Sequence, residues 1–330
     1  MNISNHKVFT SKNIINKYKV IKLIGIGGMS KVFLVQQIDT QKTYALKYRN
    51  NDDNQNNKIR FIRELELLRK INSKNIPKIY SWHIDEDEQF FVMEYIEGET
   101  LNNIIKKNGF LHERIALNYI KQISSAIKEL HDLNIIHRDI KSQNILVSKN
   151  QVIKVIDLGI SITSDTLDLR LTREQSIVGS VYYVAPELIK NNKNISVQSD
   201  IYSLGILFFE MLSGKYPFDN EDIIMTLYMH KNNPFPRITK IRELPFSLEN
   251  VIYNATHKNP NYRYASVSDF IKDLSTCLDK ARSSEKSLYE KEIQQNTQIG
   301  SFLKSTKFLV ILSVSVFVML VALIVAILII

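Results

Sequence analysis

The sequence predicts an α+β protein with two core-forming lobes, followed by one C-terminal transmembrane helix. The chain has 330 residues, 44% of them hydrophobic, which is enough for a sizeable core. Near the N-terminus apolar and polar residues alternate as in strands, whereas later segments repeat apolar residues at helical spacing. The last segment, 308–330, contains no charged residue, Pro or Gly.

The first predicted strands flank a glycine-rich turn. Tyr18–Ile24 alternates apolar and polar residues, GIGGMSKVFLVQQ follows, and TYALKYR at 43–49 alternates again as the third strand. Gly25, Gly27 and Gly28 lie in the turn between the first two strands. Glycines allow backbone N–H groups to approach phosphate oxygens closely. A strand after the glycines excludes the dinucleotide fingerprint, and the missing Gly-Lys-Ser/Thr ending excludes a Walker A loop. An ordinary hairpin is the alternative to a nucleotide-binding turn.

A lysine and a glutamate follow the turn. Lys47 stands on the third predicted strand, where it is either a solvated side chain or one that reaches the α/β-phosphates of ATP. After a polar loop at 50–57, the segment 58–72 is predicted to be a helix. Its apolar residues at helical spacing are Ile59, Ile62, Leu65, Leu68 and Ile71. Glu64 on this helix is either a surface residue or the ion-pair partner of Lys47.

Three polar motifs then follow in order. They are HRDIKSQN at 137–144, Asp157-Leu158-Gly159 and Ala185-Pro186-Glu187. Together with the glycine turn and Lys47, they resemble the signature set of the eukaryotic-type protein kinase superfamily. The turn GIGGMSKV resembles that of bacterial membrane-anchored Ser/Thr kinases, but the sequence shows none of their extracellular repeat domains.

The resemblance covers about residues 18–280 and implies the bilobal protein kinase fold. A small β-rich N-lobe, about 18–96, would contain the helix with Glu64, and a larger helical C-lobe would span about 97–280. The two departures from the family pattern are mild. Leu158 replaces the commoner Phe, and Ser30 stands at the third position of the glycine pattern.

The resemblance also assigns catalytic and metal-holding roles, with ATP and Mg²⁺ as cofactors and Mn²⁺ as an alternative ion. Asp139 would accept or orient the proton of the attacking hydroxyl, and Lys141 would neutralise charge on the γ-phosphate. Asn144 and Asp157 would hold the metal. The Lys47–Glu64 ion pair completes the catalytic set. Ser180 would bond Asp139 and Lys141, and His137 would be structural.

Nucleotide binding is assigned by the same resemblance to the glycine turn, the strands and the hinge. The residues are Ile24, Gly25, Gly27, Gly28, Val32, Ala45, Lys47, Met93, Glu94, Ile96 and Asn144. Met93 resembles the gatekeeper, Glu94 and Ile96 would bond adenine through their backbone, and Val32 and Ala45 would sandwich the ring. Apolar strand residues are core in most proteins, which is the alternative for these positions. Glu187 with Arg263, and Asp200, are expected to be structural.

These features predict a serine/threonine protein kinase that phosphorylates cytoplasmic proteins and is activated by autophosphorylation. Thr172, then Ser176, is the expected site, since Arg138 would supply a basic pocket for an activation-loop phosphate. Solvated hydroxyls are the alternative for both residues. The rival function is a catalytically inactive pseudokinase scaffold at the membrane. Such proteins typically lose one of four equivalents, which are all present here: Lys47, Asp139, Asn144 and Asp157.

The two ends of the chain determine the predicted localisation. Residues 1–17 form a basic arm without a signal peptide, 281–307 a polar juxtamembrane linker, and 308–330 a transmembrane helix, with a buried core helix as the alternative. The kinase domain is thus expected at the cytoplasmic face of the cell membrane, anchored by a single pass. Expected partners are protein substrates and the membrane, with a homodimer and a cognate Ser/Thr phosphatase as further candidates. The basic excess lies largely at the ends, which argues against nucleic acid.

Overall fold

The computed structural model describes residues 6–50, 55–158, 179–190, 195–291 and 319. Over these ranges the chain has the predicted bilobal fold. The small lobe consists of an antiparallel sheet and one long helix. The strands are β1 (Tyr18–Ile26), β2 (Ser30–Gln37), β3 (Thr43–Arg49), β4 (Ile79–Ile84) and β5 (Gln89–Glu94), in the order β1-β2-β3-β5-β4.

The sheet register positions the nucleotide-facing side chains. Lys47 on β3 pairs with Val32 on β2 and with Phe91 on β5. Ala45, two residues earlier and therefore on the same face, pairs with Met93. The predicted bounds of the third strand coincide with those of β3, whereas β1 continues two residues beyond its predicted end, into the glycine turn.

The helix of the small lobe, α2, spans Gln55–Lys70 and so begins inside the predicted polar loop. Its buried face consists of Phe61, Glu64, Leu65 and Leu68. Ile59, one of the apolar residues at helical spacing, is 40% exposed, because the Phe61–Phe91 ring contact and the Glu64–Lys47 pair set the rotation of the helix. Near its end the Arg69 guanidinium lies 3.8 Å from the ring of Trp82 on β4.

Residues 6–17, the described part of the predicted basic arm, pack against the small-lobe sheet. A short helix, α1 (Lys12–Ile15), follows a 3₁₀ turn, and the side chains of Val8 and Ile14 are fully buried against the sheet. The buried Glu88 accepts hydrogen bonds from Ser11 at 2.8 Å and Asn13 at 2.9 Å. The segment is largely polar, and its two buried apolar residues are too few to give a periodic pattern.

The large lobe contains most of the helices and a small sheet. Its helices are α3 (Leu101–Asn108), α4 (Glu113–Asp132), α5 (Pro186–Lys190), α6 (Val197–Ser213), α7 (Ile223–Asn232), α8 (Phe246–Ala255) and α9 (Val267–Thr276), and its strands are β6 (Gly98–Thr100), β7 (Ile145–Ser148) and β8 (Ile153–Val155). Helix α6 is buried along nearly its whole length and forms the centre of the core. At Gly205 it packs so closely on α8 that a Cβ would lie 2.7 Å from Thr256.

Residues 281–291, which we assigned to the linker, are packed against α8. The hydroxyl of the fully buried Ser287 donates to Glu249 at 2.7 Å, and the backbone N–H of Leu288 donates to Asn250 at 2.9 Å. Glu249 is itself buried and also accepts hydrogen bonds from Arg237 and Thr239. Because polar contacts hold this segment, it carries no apolar stripe that the sequence could reveal.

Among the described residues no helix combines the length and apolar character needed to cross a membrane. The predicted transmembrane segment, 308–330, lies outside the described residues apart from position 319. Gly159, Thr172 and Ser176 also lie outside them.

Candidate active site

A buried ion pair links the small-lobe sheet to α2. The Nζ atom of Lys47 lies 2.5 Å from Oε1 of Glu64, and both side chains are buried. Lys47 lies on the same face of β3 as Ala45, and Glu64 lies on the side of α2 that contacts this face. The sequence left open whether these two residues are solvated, and the structure brings them together.

Asp157 acts electrostatically on the same pair. Burial lowers the pKa of Lys47, but the charges of Glu64 and Asp157 outweigh burial and raise it above its usual value. Burial also raises the pKa of Glu64 against the pull of the Lys47 ammonium. With two carboxylates close by, Lys47 remains the cation. The motif residue Asp157, which follows β8 of the large lobe, is therefore close enough to the small-lobe lysine to stabilise its charge.

The second cluster surrounds Asp139 in the loop between α4 and β7. The Ser180 hydroxyl donates to Oδ1 of Asp139 at 2.7 Å, and the Lys141 ammonium lies 2.8 Å from Oδ2. Lys141 also donates to the Ser180 hydroxyl at 2.8 Å, and Asn144 donates to Oδ2 at 3.0 Å. Both carboxylate oxygens are thus held by defined donors, which locks the side chain of Asp139.

This loop is fastened to α6 through Asp200. The backbone N–H groups of His137 and Arg138 donate to its two carboxylate oxygens at 2.8 and 2.9 Å, and His131 lies 2.8 Å away. Arg138 has a φ of 67°, an uncommon left-handed conformation for a non-glycine residue. Burial lowers the pKa of His137, so its neutral ring can accept a hydrogen bond from the Asp139 N–H.

A buried carboxylate that the sequence analysis did not predict supports this loop through hydrogen bonds. Glu210 on α6 accepts hydrogen bonds from the Ser142 hydroxyl at 2.9 Å and from the Tyr183 hydroxyl. Burial raises the pKa of Glu210 to about 7, against the effect of these bonds. Ser142 directly follows Lys141, and Tyr183 is three residues beyond Ser180. A glutamate in the middle of an apolar helix was the available signal.

The glycine turn is compact and leaves space for a ligand. The Gly27 N–H donates to the Ser30 carbonyl at 2.8 Å and closes the hairpin between β1 and β2. A Cβ at Gly25 or Gly27 would make ordinary contacts, whereas one at Gly28 would meet no described atom within 4 Å. A phosphate group could approach this backbone directly.

The residues proposed to contact adenine come mainly from neighbouring strands of the small-lobe sheet. Ala45 and Met93 are adjacent on paired strands and buried, while Val32 is partly buried and Ile24 is exposed. The backbone N–H of Glu94 donates to the Lys78 carbonyl at 2.8 Å, so an adenine bond at this residue would use its carbonyl. Glu94 is the last residue of β5, and the partly buried Ile96 lies in the connection between β5 and β6.

Asn144 and Asp157 fit a magnesium ion held mainly by phosphates. The Asn144 amide N–H₂ group bonds Asp139, so its amide oxygen is the atom available to a cation. Among the described residues no group of three or more His, Cys, Asp or Glu side chains could hold a metal ion. Mg²⁺ is commonly bound through one or two protein oxygens together with substrate phosphates and water, which suits this pair.

Glu187 and Arg263, which the sequence predicted to have a structural role, form an ion pair in the large lobe. Arg263 donates to both oxygens of Glu187 at 2.8 Å, and Ser199 on α6 donates to one of them. The arginine is almost fully buried. This contact anchors the Ala185-Pro186-Glu187 motif, and with it the segment that carries Ser180.

Comparisons with known proteins agree with this geometry. The family described as protein kinase domain matches residues 18–293. The chain is 36% identical over 296 residues to serine/threonine-protein kinase PrkC of Bacillus subtilis, covering 89% of this chain and 45% of PrkC. It is 38% identical over 285 residues to probable serine/threonine-protein kinase PknB of Lactococcus lactis subsp. lactis, covering 84% and 44%. The chain therefore spans less than half the length of these relatives.

A solved structure with a similar fold is that of Rad53 residues 1–466 in complex with AMP-PNP. It superposes with a TM-score of 0.64 at 25% identity, over 79% of this chain and 65% of that one.

Proposed function

This chain belongs to the protein kinase family, and we propose that it is an active serine/threonine protein kinase. It would transfer the γ-phosphate of ATP to Ser or Thr hydroxyls of cytoplasmic proteins. The observation that carries the proposal is the buried Lys47–Glu64 ion pair, within electrostatic range of Asp157, together with an Asp139 carboxylate held by Ser180, Lys141 and Asn144. Its relatives PrkC and PknB are named as serine/threonine-protein kinases, which supports the same activity.

Phosphoryl transfer depends on positioning and charge stabilisation, which this arrangement can supply. Asp139 would orient the substrate hydroxyl and take its proton. Ser180, Lys141 and Asn144 hold its two oxygens, so that the carboxylate presents one fixed orientation. Lys141 would also balance charge on the transferred group, and Lys47 would hold the α/β-phosphates.

A bound Mg²⁺, with Mn²⁺ as an alternative, would neutralise phosphate charge, and Asn144 and Asp157 are the residues proposed to hold it. The rest of the nucleotide would lie between the glycine turn and the Met93–Ile96 connection.

The test compares wild type with Asp139→Asn in γ-phosphate transfer from ATP to myelin basic protein. Asparagine preserves the size of the side chain but cannot accept the proton, so transfer should fall sharply while AMP-PNP still binds. Equal transfer by both proteins would favour a pseudokinase scaffold and contradict the proposal. Equal thermal stability of the two proteins controls for folding.

We further propose that the kinase is attached to the cell membrane by residues 308–330. The support is their uncharged, apolar composition over a length of about 34 Å as a helix, with Lys304 and Lys307 just before it. A chain that ends at residue 307 should move from the membrane fraction to the soluble fraction. Retention of this shorter chain in the membrane would contradict the proposal.

We also propose that the kinase is activated by autophosphorylation at Thr172 or Ser176. Arg138 would form part of the basic pocket that binds the resulting phosphate. Mass spectrometry of active protein should find phosphate on one of these residues, and a fully active enzyme with neither modified would refute it. A homodimer and a Ser/Thr phosphatase that reverses the modification remain proposed partners.

A further inference from the structure

One residue outside the kinase motifs holds the tip of the glycine turn. Asn50, immediately after β3, donates its backbone N–H to the Met29 carbonyl at 2.8 Å. Its side-chain Nδ2 donates to the Gly28 carbonyl at 3.2 Å. Two successive carbonyls of the turn are therefore bound to the same residue.

This pattern differs from that of a regular strand, in which successive carbonyls point to opposite sides. In a trans peptide unit the C=O and the N–H point in opposite directions. Because the Gly28 and Met29 carbonyls both face Asn50, the N–H groups of Met29 and Ser30 both face away from β3. The peptide between Gly28 and Met29 is therefore oriented opposite to its orientation in a regular strand, and the side-chain hydrogen bond from Asn50 holds it there.

Two neighbouring N–H groups that point to one side form a concave site for an anion. They face the side on which the Gly27 N–H closes the hairpin onto the Ser30 carbonyl. No described atom would obstruct even a Cβ at Gly28, so the backbone there is accessible. The turn thus presents a phosphate-binding edge whose direction depends on Asn50.

We propose that Asn50 is a positioning residue for the phosphates of ATP. By binding the carbonyls of Gly28 and Met29, it directs the N–H groups of Met29 and Ser30 toward the nucleotide. The proposal rests on the proposed kinase function, which supplies ATP as the anion. This role has no signature in the sequence, because Asn50 begins a polar loop and its two partners are main-chain carbonyls.

The experiment measures binding of AMP-PNP with Mg²⁺, and of adenosine, to wild type, Asn50→Ala and Asn50→Leu. Both substitutions remove the side-chain donor without adding charge, and leucine approximates the shape of asparagine. The matched control is Asn16→Ala, an exposed asparagine beyond the other end of β1. Thermal unfolding of all variants verifies that they are folded.

We expect the dissociation constant for AMP-PNP to rise about three- to tenfold in both Asn50 variants, the effect of one hydrogen bond. Adenosine has no phosphate, so its affinity should stay unchanged, and Asn16→Ala should match wild type with both ligands. Unchanged AMP-PNP affinity, or equal weakening of AMP-PNP and adenosine, would overturn the proposal. If wild type bound AMP-PNP but transferred no phosphate, the kinase function alone would fail.

Discussion

At the scale of single residues, the family resemblance predicted the catalytic side chains and the contacts of Ser180 and Lys47, but not the residues that support them. The motif spacing identified Asp139, Lys141 and Asn144, because family patterns record residue types at fixed offsets. It gave no sign of Glu210 or Asn50, whose partners come from other segments and are partly main-chain atoms. Such contacts depend on tertiary packing, to which neither periodicity nor composition is sensitive.

The Ser180 hydroxyl bonds both Asp139 and Lys141, so its removal should loosen both side chains, although Lys141 and Asn144 still contact Oδ2 of Asp139. We expect Ser180→Ala to lower kcat by about 10- to 100-fold, as small misplacements of reacting groups do. Ser180→Thr keeps the hydroxyl and should retain most of the activity. Steady-state kinetics with saturating ATP measures both, and an alanine variant as active as wild type would contradict this role.

The Lys47–Glu64 pair should be sensitive to loss of charge on the helix. Glu64→Gln leaves a buried ammonium with a neutral partner, so we expect a loss of about 3 kcal/mol in the free energy of unfolding. The phosphotransfer rate should fall as well. Denaturant unfolding measures the stability. The reference variant is Glu66→Gln, an exposed position on the same helix that should change little.

At the scale of elements, most strands and helices follow from apolar periodicity, and the misplaced boundaries have identifiable causes. Helix α2 starts earlier than predicted because Gln55 to Asn57 are polar and therefore carry no apolar periodicity that would mark them as helical. The N-terminal helix α1 was not predicted, because four residues are too few to show a helical repeat of apolar residues. Its contribution comes from Val8 and Ile14 packing beneath the sheet.

Ile14 offers a direct test of whether α1 belongs to the folded small lobe. Ile14→Ala removes a fully buried side chain and should cost about 2–4 kcal/mol in the free energy of unfolding. The neighbouring Ile15→Ala, which is 41% exposed, should cost under about 1 kcal/mol. Chemical denaturation of the two variants distinguishes these values, and equal costs would mean that the segment is not docked.

The contact of α6 with the catalytic loop should make stability depend on pH. The pKa of Glu210 is about 7 when folded, above its usual value, so the folded protein holds this proton more tightly than the unfolded chain. The group therefore destabilises the fold progressively as pH rises from about 4.5 to 7, and the penalty is then constant.

Glu210→Gln removes this titration. Relative to wild type, its free energy of unfolding should increase by about 2 kcal/mol between pH 5 and pH 8. Denaturation curves at the two pH values measure the difference. A difference between the two proteins that is independent of pH would show that Glu210 titrates normally.

At the scale of the whole molecule, the family resemblance predicted the two lobes and their order, but the end of the folded domain lies farther along than predicted. Residues 281–291 add hydrogen bonds to Glu249 and Asn250 that no composition shift marks. A chain ending at residue 280 should lose about 2 kcal/mol of stability relative to one ending at 291, or about 4–8 °C in Tm. Calorimetry of the two chains measures this, and identical Tm values would place 281–291 outside the folded unit.

The stacking of Arg69 on Trp82 has a practical consequence, because this indole is the sole tryptophan of the chain. We expect its emission wavelength to depend on the nearby guanidinium, and Arg69 stands five residues after Glu64 on the same helix. If nucleotide binding moves that helix, the wavelength of maximum tryptophan emission should shift. The protein thereby carries its own optical probe of lobe closure, readable in a stopped-flow instrument without any added dye.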